Sequence, residues 1–238
     1  MTIAAALLLA LQAALPSPFA VGERFEYSAK LGILTLGSAT IQVEGVDTVR
    51  GQPAWHFKYT LDGGGVLFKI SSALESWTST REFHTLRFRR DSKENSKRYL
   101  RDYSVFADSG YYRQSQSAAT TPTPKDPLDD ASILFFVRTT PLEVGRTYSF
   151  ERHFMPELNP ITIRVLKRET MELPDGTKTE CLVLNPVVGE DGLFGKRAEA
   201  SLWITADARR IPVQIKTRQR FGPITLRLER MTRGVPGE

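Results

Sequence analysis

Residues 201–216, SLWITADARRIPVQIK, decide the fold class of this chain. Apolar and polar residues alternate on both sides of a short Ala-Asp-Ala-Arg break. This alternation is typical of two paired antiparallel strands with one face buried and the other in water. We therefore predict a β-hairpin in which Trp203 lies opposite Ile211 or Val213 and Asp207 occupies the tight turn.

Similar strand patterns run through most of the chain on either side of this hairpin. In Ala54–Leu61 (AWHFKYTL), Trp55, Phe57 and Tyr59 share one face, and polar residues occupy the other. Asp62–Gly65 (DGGG) then predicts a flexible joint. Because short turns connect about a dozen such segments, we predict a mainly β fold. Its core element is a large curved antiparallel sheet, in the form of a half-barrel or incomplete barrel.

One helix is predicted at Asp126–Thr139. Asp126 suits the N-cap, Pro127 suits the first helical position, and Arg138 falls in the last turn. Asp129 complements the positive end of the helix dipole. The segment ASILFFV between these ends is apolar nearly all round, so we expect the helix to be buried or to cover the sheet.

The first twenty residues, MTIAAALLLALQAALPSPFA, carry no charged side chain and contain an apolar run followed by two prolines. This pattern is typical of a secretory signal peptide, and the run is shorter than the about 20 residues that a membrane span needs. We expect residues 1–20 to be a signal peptide cleaved near Ala20, which leaves a soluble periplasmic protein. A buried N-terminal helix is the alternative interpretation.

Residues 21–238 are expected to form a single β-rich exported domain. The chain has 238 residues, of which 41% are hydrophobic and 25% are charged, a composition typical of folded globular proteins. The low-complexity segment 115–125 (SQSAATTPTPK) predicts a surface loop and marks a possible internal boundary. Cys181 is the only cysteine, so an internal disulfide is excluded.

The sequence contains no cluster of reactive side chains that would indicate an enzyme. His56, His84 and His153 are the only histidines, and no two of them have a metal-ligand spacing. No Gly-x-Ser-x-Gly motif occurs. We interpret His56 and His153 as ordinary surface histidines and expect no catalytic residue, metal or cofactor. A hydrolase or transferase acting on envelope polymers is the least favoured alternative.

Six bulky apolar residues are candidates for an apolar ligand groove: Trp55, Phe57, Tyr59, Leu134, Phe135 and Phe136. Packing in a filled core is the simpler interpretation, because bulky apolar residues usually form the interior. The groove remains open as a hypothesis, since curved antiparallel sheets often enclose a ligand.

Residues 81–101 are rich in arginine and lysine, and Arg87, Arg89 and Arg101 are the candidates for an anion-binding surface. The simplest interpretation is the solvated face of long hairpins. The alternatives are peripheral contact with anionic lipid or glycan head groups and contact with an envelope protein partner. Export argues against nucleic acid as a partner.

The C-terminal third resembles the signature of an exported bacterial family, domain of unknown function 3108. The segments that carry the resemblance are 192–196 (GLFGK), 202–213 (LWITADARRIPV) and 222–228 (GPITLRL), with further similarity at 36–39 (LGSA), 126–138 and 142–145 (LEVG). The resemblance implies an exported β-rich protein of Gram-negative-type bacteria and supplies no catalytic residues. Some members resemble periplasmic lipoprotein carriers, whose half-barrel and covering helix form an apolar groove.

Together these observations favour a periplasmic, non-enzymatic protein of cell-envelope biogenesis that holds a lipid, an acyl chain or another apolar ligand in its curved sheet. The alternative is an envelope protein–protein interaction or structural module with a filled core, whose partner binds the basic hairpins.

Overall fold

A computed structural model describes residues 18–65, 69–219 and 222–235. Within these residues fourteen strands form one antiparallel sheet, in the order β8-β7-β6-β5-β4-β3-β2-β1-β14-β13-β12-β11-β10-β9. The strands are β1 (Arg24–Leu31), β2 (Leu34–Val49), β3 (Gln52–Gly64), β4 (Lys69–Ser79), β5 (Thr85–Glu94), β6 (Lys97–Phe106), β7 (Tyr111–Gln114), β8 (Thr121–Pro122), β9 (Thr147–Phe150), β10 (Ile161–Glu172), β11 (Lys178–Val187), β12 (Ser201–Thr205), β13 (Pro212–Gln219) and β14 (Gly222–Thr232). The sheet is not closed, because β8 and β9 are its edges, and the predicted mainly β fold is confirmed.

Pairing between the first and last strands places both ends of the described chain in the middle of the sheet. β1 pairs with β14, with Leu31 opposite Ile224. At the two edges, Leu128 forms a parallel bridge with His153, which connects the segments that follow β8 and β9. Buried residues of β5–β7 form a smaller cluster with Ala131 and Phe154. Buried residues from β1–β3 and from β10–β14 belong to one larger hydrophobic core, so the open sheet bends around this interior.

Helix α1 (Ser132–Thr139) packs in this interior and is the one α-helix of the described residues. It begins later than predicted, because the carboxylate of Asp129, not of Asp126, accepts the free N–H groups of Ala131 and Ser132, each at 2.8 Å. Ser132 Oγ accepts the N–H of Asp129 in return at 2.8 Å. Such reciprocal bonds fix the start of a helix. Asp126 instead lies in a turn with a positive φ of 49°.

Asp129 also ties α1 to the sheet. It is fully buried and accepts the hydroxyl protons of Ser76 at 2.5 Å and Thr85 at 2.6 Å. Burial raises the pKa of the Asp129 carboxyl, and these bonds only partly offset that increase. The sequence predicted only an interaction of Asp129 with the helix dipole. In the structure its main contacts are hydrogen bonds to the start of α1 and to the sheet.

The last turn of α1 is held by a buried ion pair. The Arg138 side chain is 1% exposed and donates to Glu23 Oε1 at 2.6 Å and Oε2 at 3.0 Å. Its Nη2 also donates to the carbonyl oxygens of Pro18 at 2.8 Å and Arg209 at 3.0 Å. One guanidinium thus connects the N-terminal segment, the helix and the β12–β13 turn.

The β12–β13 hairpin is confirmed, but its predicted register is wrong. Trp203 lies opposite Gln214, and a register shift follows it, so that Ile204 lies opposite Pro212. The prediction assumed an unbroken ladder, whereas a bulge changes which residues face each other. Asp207 lies in the turn as predicted and accepts the hydroxyl proton of Thr205 at 2.7 Å.

Two further segments differ from the predictions, and one prediction mostly falls outside the described residues. Residues 62–64 continue β3 rather than forming a joint, since they pair with β2 and β4. Residues 115–125 are largely exposed, as expected of a surface loop, but include the short strand β8. Of the predicted signal peptide, residues 1–17 lie outside the described chain. In the described ranges, no helix has the length and apolar character needed to cross a membrane.

Candidate ligand-binding site

The face of the sheet that contacts α1, here called the inner face, is filled where the helix lies. Phe57 of β3 is 0% exposed and Phe135 of α1 is 2% exposed. Their rings stack at 3.8 Å between centroids with an interplanar angle of 10°. Phe19 packs edge-on against both, at 5.3 Å and 5.5 Å. This region is a packed aromatic core.

The six predicted groove residues therefore fall into two groups. Phe57, Leu134 and Phe135 are buried in the core and cannot contact a ligand unless α1 moves. Trp55, Tyr59 and Phe136 are half-buried and pack against the same core. The structure brings the six residues to one region, but only the second group borders open surface.

Beyond α1 the inner face is less covered, and it changes from apolar to basic along the sheet. Phe57 contacts the helix, so Tyr59, two positions further along β3, lies on the same face. Residues directly opposite one another in neighbouring strands also share a face. The register therefore places one set of side chains together, here called the inner patch: Tyr59, Leu61, Ser72, Leu74, Arg90, Tyr99 and Arg101.

The inner patch contains a buried polar atom without a partner. The hydroxyl of Tyr59 is shielded from solvent and has no hydrogen-bond partner among the described residues. Burial raises the pKa of this phenol well above its usual value. A buried polar group without a partner costs roughly 1–3 kcal/mol, so no described contact offsets the desolvation of this hydroxyl.

The structure does not bring the three predicted anion-binding arginines together. Arg87 and Arg89 lie on the outer face, as their partners show: Arg87 binds Asp102 with Nε and Nη2 at 3.0 Å and 2.5 Å. Arg89 lies 3.8 Å from Glu75. Arg101 lies on the inner face, directly opposite Arg90. The arginines of β5 and β6 therefore fall into an outer set near carboxylates, Arg87, Arg89 and Arg98, and an inner pair, Arg90 and Arg101.

The outer face carries an aromatic and ionic cluster that sequence reasoning missed. His56 Nδ1 is 3.2 Å from Asp47 and Nε2 is 3.2 Å from Glu75. The His56 ring stacks on the Trp77 ring, with 4.5 Å between the ring centres. The Arg87 guanidinium lies over the same Trp77 ring, 4.6 Å from its centre. These contacts hold His56 in place, so it is not an ordinary surface histidine. Because the residues of this cluster are distant from one another in the sequence, no local pattern indicated it.

The prediction of a surface position for His153 is wrong. The side chain is 0% exposed, and its ring stacks on Phe154 at 5.2 Å. Nε2 lies 3.4 Å from Asp130, and Nδ1 accepts the N–H of Met155 at 3.1 Å. The bridge between Leu128 and His153 buries the residue, and such a long-range contact has no signature in the local sequence.

Described residues also line two surface grooves. One, of about 530 Å³, is lined mainly by outer-face residues, among them Thr60, Ala73 and Asp91, and also by Ser72 of the inner patch. The other, of about 360 Å³, lies between Glu172–Pro174 and Arg227–Glu229. Within the described residues, no group of three or more His, Cys, Asp or Glu side chains is placed to hold a metal ion.

The fold and this face define the class of the chain: a barrel-like β protein with an open antiparallel sheet and a helix packed inside it. Residues 26–229 match the family described as "Protein of unknown function (DUF3108)". The chain belongs to that family, and the resemblance predicted from the C-terminal segments is confirmed.

A solved structure has a similar fold. The chain is similar to the crystal structure of a beta-barrel-like protein of domain of unknown function DUF1849 from Brucella abortus, with a TM-score of 0.56 and 9% sequence identity. The match covers 91% of this chain and 99% of that chain. At this identity the likeness concerns the fold alone. A comparison with curated proteins gives no match.

Proposed function

We propose that this chain is an exported, periplasmic, non-enzymatic binding protein that holds a lipid or another apolar-tailed ligand on its inner face and takes part in cell-envelope biogenesis. The observation that carries the proposal is the inner patch. There the core aromatic residues give way to half-buried Tyr59, Leu61 and Leu74, beside the unpartnered Tyr59 hydroxyl.

Export is supported by the apolar, uncharged residues 1–20. Binding of an apolar chain is supported by the positions of Tyr59 and Leu61 at the border of the main core and of Leu74 at the border of the cluster around Phe88, because an acyl tail laid against them would extend this apolar surface. Each methylene removed from water in this way contributes about 0.8 kcal/mol.

Adjacent residues on opposite faces of β4 provide a matched test. Ser72 lies on the inner face between Leu61 and Ser92, and Ala73 lies on the outer face between Thr60 and Asp91. In Ser72→Phe the ring occupies the inner patch and displaces about three methylenes of a bound tail. At roughly 0.8 kcal/mol each, this weakens binding about 50-fold. In Ala73→Phe the same ring points into the outer groove.

The measurement is titration of the purified mature protein with a fluorescent long-chain fatty acid, with thermal unfolding of both variants as the folding control. We expect Ser72→Phe to lose affinity and Ala73→Phe to bind like the wild type. Failure of the wild-type protein to bind would contradict the proposal. Loss of affinity in Ala73→Phe alone would place the ligand in the outer groove and contradict the inner-face site.

A further inference from the structure

The two arginines on the inner face stand directly opposite one another. Arg90 of β5 pairs in register with Arg101 of β6, and both side chains are exposed. Like charges directly opposite each other in a sheet are destabilising. An anion between them removes that repulsion, so this position favours a negatively charged ligand.

The neighbouring arginines show that these two strands can neutralise their own charges. Arg87 is paired with Asp102, and Arg98 donates to Asp91. Among the described residues, by contrast, neither Arg90 nor Arg101 forms an ion pair with a carboxylate. Arg90 Nε makes a long contact of 3.4 Å with Ser92 Oγ.

Asp130 is an acidic group close enough to interact with the charge of Arg90, but its carboxylate is already paired with His153. Burial opposes ionisation of Asp130, but the hydrogen bond and charge of His153, together with the charge of Arg90, lower its pKa. Its carboxylate lies 3.4 Å from His153 Nε2. The guanidinium forks of Arg90 and Arg101 therefore remain able to bind another anion.

The arginine pair continues an apolar row. Leu74 lies directly opposite both Tyr59 and Arg90, so Tyr59, Leu74, Arg90 and Arg101 follow one another across four strands on one face. A ligand that lies along this row meets apolar surface first and two guanidinium groups next. An amphiphile with an apolar tail and an anionic head matches that order.

The number of donors indicates the chemistry of the head group. Each guanidinium offers a fork of two parallel N–H donors, so two facing forks can supply four bonds. A carboxylate has two oxygens to share between them, whereas a terminal phosphate has three and carries up to two negative charges near neutral pH. A phosphate monoester therefore satisfies the pair better than a carboxylate.

We propose that Arg90 and Arg101 bind the terminal phosphate of a single amphiphile whose tail lies on Tyr59, Leu61 and Leu74. This inference rests on the function proposed above and names the ligand class of the same site. The apolar tail supplies affinity, and the phosphate supplies orientation and selectivity between lipids.

The test compares two double variants that change the net charge equally. Arg90→Gln with Arg101→Gln removes the inner pair, and Arg87→Gln with Arg89→Gln removes two outer-face charges of β5. The probes are dihexanoyl phosphatidic acid, dihexanoyl phosphatidylcholine and inorganic phosphate, titrated as monomers by calorimetry. Thermal unfolding shows whether each variant is folded.

We expect the wild type to bind the phosphatidic acid at least about tenfold more tightly than the phosphatidylcholine. The inner double variant should lose this preference while its affinity for phosphatidylcholine stays unchanged, and the outer double variant should keep it. If the inner variant does not fold, the single variants Arg90→Gln and Arg101→Gln should each reduce the preference.

Equal affinity of the wild type for the two lipids would overturn the phosphate assignment and leave the proposed function standing. The same would follow from equal loss of preference in both double variants, or from inorganic phosphate binding as tightly as the phosphatidic acid. Binding of neither lipid by the wild type would contradict the proposed function, and this inference would fall with it.

Discussion

Replacing Glu23 by Gln removes the charge that neutralises a buried guanidinium. Arg138 is 1% exposed and Glu23 is 13% exposed, so solvent screens the pair weakly. Three aromatic rings, those of Phe19, Phe25 and Phe135, lie 5.4–5.7 Å from the guanidinium and exclude water from it. The variant therefore leaves a positive charge in an apolar environment.

Removing one partner of a buried ion pair typically costs about 3–5 kcal/mol. The glutamine oxygen still accepts one hydrogen bond, and the carbonyls of Pro18 and Arg209 remain, so we expect about 3 kcal/mol. For a domain of this size that loss lowers the melting temperature by roughly 6–12 °C. The assay is urea unfolding followed by tryptophan fluorescence, with linear extrapolation to zero urea.

The control is Glu143→Gln, which breaks an exposed pair with Arg146 whose side chains are about two-thirds exposed. Such pairs contribute about 0–1 kcal/mol. Combining Glu23→Gln with Arg138→Met should restore part of the lost stability, because the unpaired charge is gone. A Glu23→Gln variant within about 0.5 kcal/mol of Glu143→Gln would refute the buried ion pair as a stabilising contact.

Three further predictions concern the N-terminal cleavage site, the buried Asp129 carboxyl and the buried Cys181 thiol. Phe19 is buried against the inner-face aromatic residues, and the Pro18 carbonyl oxygen accepts a hydrogen bond from Arg138. If the chain is exported as proposed, the mature protein should therefore retain both residues, with cleavage before Pro18 rather than near Ala20, and intact-mass measurement decides this. Because burial raises the pKa of Asp129 in the folded state, its contribution to stability is present at low pH and is lost as the pH rises through that pKa. Asp129→Asn should therefore gain stability relative to the wild type as the pH rises above the ordinary aspartate pKa of about 4, and a difference in urea unfolding that does not change with pH would contradict this. Burial raises the pKa of the Cys181 thiol to about 11, so iodoacetamide at about pH 8 should alkylate it only in urea, as measured by mass spectrometry.

Local patterns were sufficient for most strands. In β10, for example, apolar and polar residues alternate before a turn of Pro174, Asp175 and Gly176, and these are local signals. The hairpin partner of β12 was also predicted, but its register was wrong, since a register shift follows Trp203 where β12 pairs with β13. Alternation of apolar and polar residues indicates a strand but does not show where a bulge displaces the pairing.

The candidate site was predicted less completely. Trp55, Phe57 and Tyr59 were correctly placed on one face, because alternation along a strand determines which side each residue takes. Whether that face is open or filled depends on α1 and Phe19, which are distant in sequence. Arg101 was named without Arg90 because only the register of β5 against β6 shows that the two are opposite.

The most direct test of the central claim is mass spectrometry of an organic extract of the protein, purified from the periplasm under native conditions beside a mock purification. Ligand binding at the inner patch predicts a lipid present in stoichiometric amount, and it should be depleted in Ser72→Phe and retained in Ala73→Phe. A clean extract from the folded wild-type protein would contradict the claim and favour the interaction-module alternative.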